Sequence, residues 1–385
     1  MKLTFERAEL EKAVDFSMCA VSDRNAIPVV EGIRLRSENN GKCSLTTYDL
    51  EKGFYTEIDC RTEEAGNYVI NAAKFLRIIK SMPDLYITVE VNENCAVTVS
   101  SGRSKFELHA LDGETFPNIP TLSGERGFII EGGLLKKMIA QTSFSIGYGN
   151  DIRPMLCGAC FNITDDGIKI VTCDSNRLSV REKHQKIENR NSDSSNLDLK
   201  FIVPGKTVGQ LTRLIDDDEN VNIMLTRKHV IFKLENMTFF SRLIDSEYID
   251  YERVIPKGRE TVAVMERADL LSSLERASLV TEDKALGQAK SYVKATIEDG
   301  KIKIESKSVN GSVYDEQNIE KSGADLVIGF NCRYFIDALR AADTDKIEII
   351  FNGQLTSIIV KPVYKDDEKD KGEDYLYMIS PVRMK

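Results

Sequence analysis

Tyr68-Val69-Ile70-Asn71 followed by AAKFLRIIKSM (72–82) is a short apolar strand running into an amphipathic helix, and the chain writes it three times. It returns as Phe201-Ile202-Val203-Pro204 with GKTVGQLTRLI (205–215), and as Val327-Ile328-Gly329-Phe330-Asn331 with CRYFIDALRAA (332–342). The interval is about 130 residues, a third of the 385-residue chain. A fixed period decides architecture before any local reading. This one is too long for a solenoid unit and has the size of a small domain.

The parts around the repeated line recur in one order. Each copy opens with a strand and helix, KLTFERAELEKAVDFSMCAV, GFIIEGGLLKKMIAQTSFSI and TVAVMERADLLSSLERASLV, in which Leu10, Leu135 and Leu270 hold the same place. Paired strands follow, turning at Asn40-Gly41, Asp166-Gly167 and Asp299-Gly300; such dipeptides between alternating apolar residues are the strongest short hairpin signal. The basic helix comes next, and a second hairpin closes the copy. Each copy therefore predicts two helices and about eight mostly antiparallel strands, an α+β domain with helices on one sheet face. Pro- and Gly-rich stretches near 117–127 and 254–260 read as linkers, giving domains 1–122, 127–254 and 259–385. The stretches 189–196 and 365–374 read as mobile polar loops whose charge is ordinary solvation.

Bulk properties exclude several classes. No apolar run approaches the roughly 18 residues of a membrane helix, and the charged start MKLTFERAELEK has no signal-peptide core, so a cytoplasmic protein without membrane partners is expected. The eight cysteines are scattered through apolar runs and read as buried reduced thiols. Cys157 and Cys160 form a C-x-x-C, but MLCGACFNI reads as a strand and no second pair follows at zinc spacing. Neither metal nor cofactor is expected. Nor is catalysis: His109, His184 and His229 lack a nucleophile–base pattern, and no phosphate-binding glycine loop is present.

The net charge of −9 argues against a protein that coats nucleic acid with its whole surface, so charge must be read by position. Neighbours on a helix are separated by about 100°. Lys74, Arg77 and Lys80 fall on one side of the first repeated helix, opposite Phe75, Ile78, Ile79 and Met82. Lys206 and Arg213 share a face against Val208, Leu211 and Ile215, and Arg333 and Arg340 share one against Phe335, Ala338 and Leu339. The other helices add Lys12, Lys136, Lys137 and Arg276. Three one-signed faces in an acidic chain point to a shared polyanion, duplex DNA phosphate. No aromatic platform interleaves the basic residues, so contact with backbone, blind to sequence, is expected.

With these features in place, the chain resembles the bacterial replicative DNA sliding clamps, the beta subunits of the replicative DNA polymerase. The resemblance spans the whole length and is most specific in SGRSKFELHALDGETFPNIP (101–120), IVTCDSNRLSV (170–180), FIVPGKTVGQLTRLI (201–215), IGFNCRYFIDAL (328–339) and ISPVRMK (379–385). It implies three tandem clamp domains, dimerising head-to-tail into a closed ring that encircles duplex DNA and tethers polymerase, clamp loader and other proteins carrying short clamp-binding peptides. Positions matching the family's DNA-facing ones are Arg24, Lys74, Arg153 and Lys206; Gly149, Asn150, Pro154 and Met155 depart from the glutamine and tyrosines common there.

The resemblance also implies a partner-peptide pocket. Its matching positions are Leu156, Cys173, Ser175, Asn176, Arg177, Leu178, Ile249, Arg253, Val254, Asn331, Tyr334, Leu355 and Ser357. The tail Met378, Ile379, Ser380, Pro381, Val382, Arg383 and Met384 completes it. Apolar walls with few polar groups suit a short peptide. Ser380 and Val382 replace common methionines, and Lys385 is an extra residue. For the ring interface it implies Arg103, Lys105, Phe106 and Leu108 on one side and Leu279 and Val280 on the other, with Asp315, Glu316 and Glu320 as acidic partners.

Overall fold

In the computed structural model each repeated line folds as its periodicity predicts. The structure describes residues 1–22, 27–38, 40–120, 122–149, 151–281, 292–308, 311–365 and 372–384. Seven helices occur among them: α1 (Arg7–Ser17), α2 (Ala72–Ser81), α3 (Gly132–Ala140), α4 (Gly205–Leu214), α5 (Tyr251–Val254), α6 (Arg267–Thr281) and α7 (Cys332–Ala341). The expected apolar faces of α2, α4 and α7 are buried. Where α2 and α7 begin, an asparagine caps the helix. The Asn71 side chain accepts from the Lys74 amide at 3.0 Å, and that of Asn331 from the Arg333 and Tyr334 amides at 3.0 and 3.3 Å. Pro204 holds the equivalent place before α4; it offers no side-chain acceptor, but its fixed φ suits entry into a helix.

The chain forms two compact units, and the division runs through the middle repeat. One comprises residues 1–134, 188–195 and 209–243; the other 135–187, 196–208 and 244–385. The first holds a 14-stranded sheet. Its core sets Leu10, Ala13 and Val14 of α1 and Phe75, Ile78 and Ile79 of α2 on inward residues of the first repeat's strands; each of these side chains larger than alanine contributes about 1.5–3 kcal/mol on burial. Strand Lys52–Asp59 of the first repeat pairs antiparallel with Met237–Arg242 of the second, Gly53 opposite Phe240. A Cβ on Gly53 would stand 2.1 Å from the Phe240 ring, so only glycine lets that ring lie over the seam.

The second unit holds a nine-stranded and a five-stranded sheet. Leu270, Leu274 and Ala277 of α6 pack with Phe335, Ala338 and Leu339 of α7 and with Tyr375, Tyr377 and Ile379. Here strand Arg177–His184 of the second repeat pairs with Glu373–Ile379 of the third. In both seams the strand that ends a repeat's first meander joins the strand that ends another's second hairpin. Among the described residues one strand of each kind is left over. Ser104–His109 pairs there only with Ala96–Ser101, its strand meeting Gly66–Asn71 just at Ala110–Asp112. Ser312–Asn318 pairs there only with Lys301–Lys307, at the border of its sheet.

Several expectations need correction. The repeats carry nine, nine and ten described strands rather than about eight. The 189–196 stretch is not a loose loop: Asn189 ends a strand, and buried Asn191 accepts from the Gly127 amide at 3.1 Å and donates to the Ser195 carbonyl at 2.9 Å. Cys157 lies in a 3-10 turn, Pro154–Cys157, with the strand starting only at Gly158. Of the 365–374 stretch, 366–371 lie outside the described residues, and Glu373 is no solvated loop acid. It opens a strand and bonds fully buried Arg181, with Lys137 at 2.9 Å and Lys183 at 3.4 Å.

Candidate nucleic-acid and partner-binding sites

The basic side chains are exposed at Lys74, Arg77, Lys80, Lys137, Arg153, Lys206, Arg213, Arg333 and Arg340, and half-buried at Lys136. Arg24 lies outside the described residues. They divide by position along the helix. Lys74, Lys206 and Arg333 stand in the first turns of α2, α4 and α7 and meet no carboxylate among the described residues. Lys80, Arg213 and Arg340 stand in the last turns, where the helix dipole favours cations, and each faces an acid. Lys80 is 2.8 Å and Arg213 4.0 Å from Asp15, and Arg340 is 2.8 Å from Glu275. Lys137 is held by Asp343 at 2.8 Å as well as by Glu373. Burial works against the Glu373 carboxylate, but Lys137 and Arg181 overcome it and hold the group at about 2.

The pocket positions gather around one apolar cluster of the second unit. Leu156, Cys173, Leu178 and Met378 are buried in it, with Ile249 at its margin. Its floor is dry: burial pushes the Cys173 thiol and the Tyr248 phenol up, the Cys160 thiol up to about 11 and the Tyr251 phenol up to about 12. The loop beside it is stiffly built. Ser175 takes φ +78°, and Asp174 Oδ1 accepts from the Asn176 and Arg177 amides at 3.0 Å each. Arg177 reaches Asp337 of α7 at 2.6 Å and stacks 4.6 Å over the Tyr334 ring, which brings those two predicted residues together. The tail closes over this edge. The Ser380 amide donates to the Asn176 carbonyl at 2.8 Å, Val382 and Pro381 pair with Gly329 and Phe330, and Met384 lies where a Gly329 Cβ would be. Val254 and Leu355 are exposed apolar residues, Arg253 is exposed and pairs with Asp250 at 2.8 Å, Ser357 is half-buried, and Arg383 points to solvent.

Ile379 is not in this cluster: it faces the α6–α7 core. The cluster instead contains Tyr248, Tyr251, Val262, Ile350 and Ile359, which the sequence reading missed. A signal was present. The runs IEIIF, IIV and YLYMI are apolar at consecutive positions, which marks a strand buried on both faces. Ile349, Val360 and Tyr377 take one face, and Ile350, Ile359 and Met378 the other.

The interface positions lie on or beside the two leftover strands. Phe106 is 40 % exposed, Leu108 half-buried and Arg103 in the preceding turn, while Lys105 pairs with Glu107 at 3.0 Å. Leu279 is 76 % exposed on α6, next to half-buried Val280. Tyr314 lies exposed on the leftover strand. The acids already have partners: Arg276 on Asp315, Lys301 on Glu316, and Lys346 at 3.4 Å on Glu320.

No group of three or more His, Cys, Asp or Glu able to hold a metal occurs among the described residues, and no described helix is long and apolar enough to cross a membrane. Three tandem clamp domains, each a helix pair on antiparallel sheet, place the chain among processivity clamps, polymerase accessory proteins that carry out no catalysis themselves. The chain belongs to the DNA polymerase III beta subunit family, whose N-terminal, central and C-terminal domain models match residues 1–120, 129–250 and 252–372. It is 30 % identical over the full length of both chains to the beta sliding clamp of Halalkalibacterium halodurans. The DNA polymerase sliding clamp from Bacillus subtilis superposes with a TM-score of 0.90 at 27 % identity, and the Pseudomonas aeruginosa clamp solved bound to griselimycin with 0.88 at 26 %, each over the whole of both chains.

Proposed function

We propose that two copies of this chain close head-to-tail into a ring that encircles duplex DNA, slides on it and tethers polymerase, clamp loader and other peptide-bearing proteins. The observation that carries the ring is the pair of leftover strands. Each is the unused member of a seam already made twice within the chain. Joining 104–109 of one copy to 312–318 of another repeats the same seam, and doing so twice leaves no seam edge open, which removes an aggregation hazard. Carrying over the register of the internal seams sets Lys105 against Tyr314 or Asp315 of the second copy, with Phe106 and Leu279 as apolar anchors.

In this reading the domains are 1–122, 127–254 and 259–385, and the protein works in the cytoplasm on sequence-independent phosphate contacts. Lys74, Lys206 and Arg333 are the foremost DNA-facing residues, with Arg24, Arg77, Lys80, Lys136, Lys137, Arg153, Arg213 and Arg340 around them. The cluster of Leu156, Cys173, Leu178, Ile249 and Met378 receives the apolar side chains of a partner peptide, and the loop at Ser175–Arg177 with the tail forms its polar rim. The test is topological. The protein should sediment as a dimer, remain on a closed circular duplex after loading, and be lost when the circle is cut. A monomer at micromolar concentration, or retention indifferent to cutting, leaves a peptide-binding adaptor instead.

A further inference from the structure

The acids facing the last-turn cations occupy one repeated position. Asp15, Ala140 and Glu275 each stand five residues beyond the equivalent leucines Leu10, Leu135 and Leu270. The first and third repeats therefore carry a carboxylate where α1 meets α2 and where α6 meets α7, and each takes the last-turn cation of its own repeat at 2.8 Å. The middle repeat has alanine there, and its cation, Arg213, leans on Asp15 of the first at 4.0 Å. Two carboxylates thus engage three cations, while Lys74, Lys206 and Arg333, about two turns earlier, meet no carboxylate among the described residues. The hydrogen bond that Lys80 donates to the Asp15 carboxylate holds its ammonium above the ordinary lysine range.

We propose that Asp15 and Glu275 are charge-tuning positioning residues of the DNA-facing surface, withholding Lys80, Arg213 and Arg340 from phosphate so that, of the six repeated helix cations, the three in the first turns grip the duplex. This rests on the DNA-facing reading of α2, α4 and α7. A sliding ring needs contacts that exchange faster than it moves. A cation already paired with a carboxylate gains little from a phosphate, and the phosphate is repelled by that carboxylate. Holding three of the six repeated helix cations in this way weakens the grip without shortening the cationic row.

The experiment uses the full-length dimer and linear duplex DNA titrated with potassium chloride, together with single-molecule tracking on stretched DNA. In the Asp15→Asn/Glu275→Gln variant, the slope of log affinity against log salt should steepen by about 0.9 for each cation released, and diffusion along DNA should slow. Asp15→Glu/Glu275→Asp should restore both. In a separate arm, Lys74→Glu/Lys206→Glu/Arg333→Glu should weaken binding and flatten the slope. If the acid variant leaves slope and diffusion unchanged while the charge-reversed variant loses binding, the inference is overturned and the DNA-facing reading stands; a lowered Tm with an unchanged slope would make the acids helix staples only. If neither arm moves the slope, the DNA-facing reading falls with it.

Discussion

Replacing Glu373 by glutamine should destabilise the second unit out of proportion to the change of one atom. The carboxylate is the counter-charge of fully buried Arg181 and also takes Lys137 and Lys183. Its pKa falls from the ordinary 4.5 to about 2, which at about 1.4 kcal/mol per unit is worth roughly 3 kcal/mol. Solvent at the exposed fifth of the side chain (19 %) trims this to about 2 kcal/mol from the ion pairs alone. Stranding the fully buried guanidinium of Arg181 brings the expected loss for Glu373→Gln to about 3 kcal/mol. A depressed carboxylate stabilises fully above its unfolded pKa and loses that contribution as pH falls toward the folded one. The wild-type advantage should therefore hold above about pH 5 and shrink between about pH 4.5 and 2. Urea unfolding at several pH values measures it, and Arg181→Met/Glu373→Gln should recover part of the loss, because no buried charge is then orphaned. A single variant within about 0.5 kcal/mol of wild type, the usual range of a surface substitution, or a gap that persists at about pH 2, refutes the reasoning.

Other expectations are simpler. Deleting residues 380–385 removes the strand on Gly329–Phe330 and the Ser380 bond to the 174–176 loop; partner-peptide affinity should vanish by calorimetry while sedimentation still reports a dimer. Gly53→Ala should cost about 2–3 kcal/mol in chemical denaturation, because the new methyl meets the Phe240 ring inside the first seam. Asn71→Ala and Asn331→Ala should each lose about 1 kcal/mol of cap stabilisation, and Pro204→Ala should show no cap loss. Phe106→Asp should convert the dimer to monomer with secondary structure unchanged by circular dichroism, since Phe106 is exposed within the chain.

The helices and hairpins were readable because each rests on a period of 3.6 or 2 and on turn chemistry lying within a few residues. The seams were not. That Met237–Arg242 joins Lys52–Asp59 depends on which strand edges face each other after the repeats have folded, and no local pattern records it. The apolar cluster around the expected pocket positions was half legible. The resemblance named Leu156, Cys173 and Met378, while strand parity would have added Ile350 and Ile359 and moved Ile379 to the core. Charge misled where it was counted without its partners: Glu373 resembled a loop acid because Arg181 lies 192 residues away, and the acids beside the basic helices sit on other helices.

The division through the middle repeat bears on how such a protein can be recombined. Its strands Arg126–Glu131 and Asn220–Arg242 continue the first repeat's sheet, and Gly158–His184 and Asp198–Pro204 continue the third's. The three copies are therefore not interchangeable cassettes. A chimera spliced at the sequence repeats would cut a sheet and expose a strand edge; exchanging whole sheets with their cores intact takes crossovers at all five points where the chain passes between units, after residues 134, 187, 195, 208 and 243, the first and fourth of them within α3 and α4.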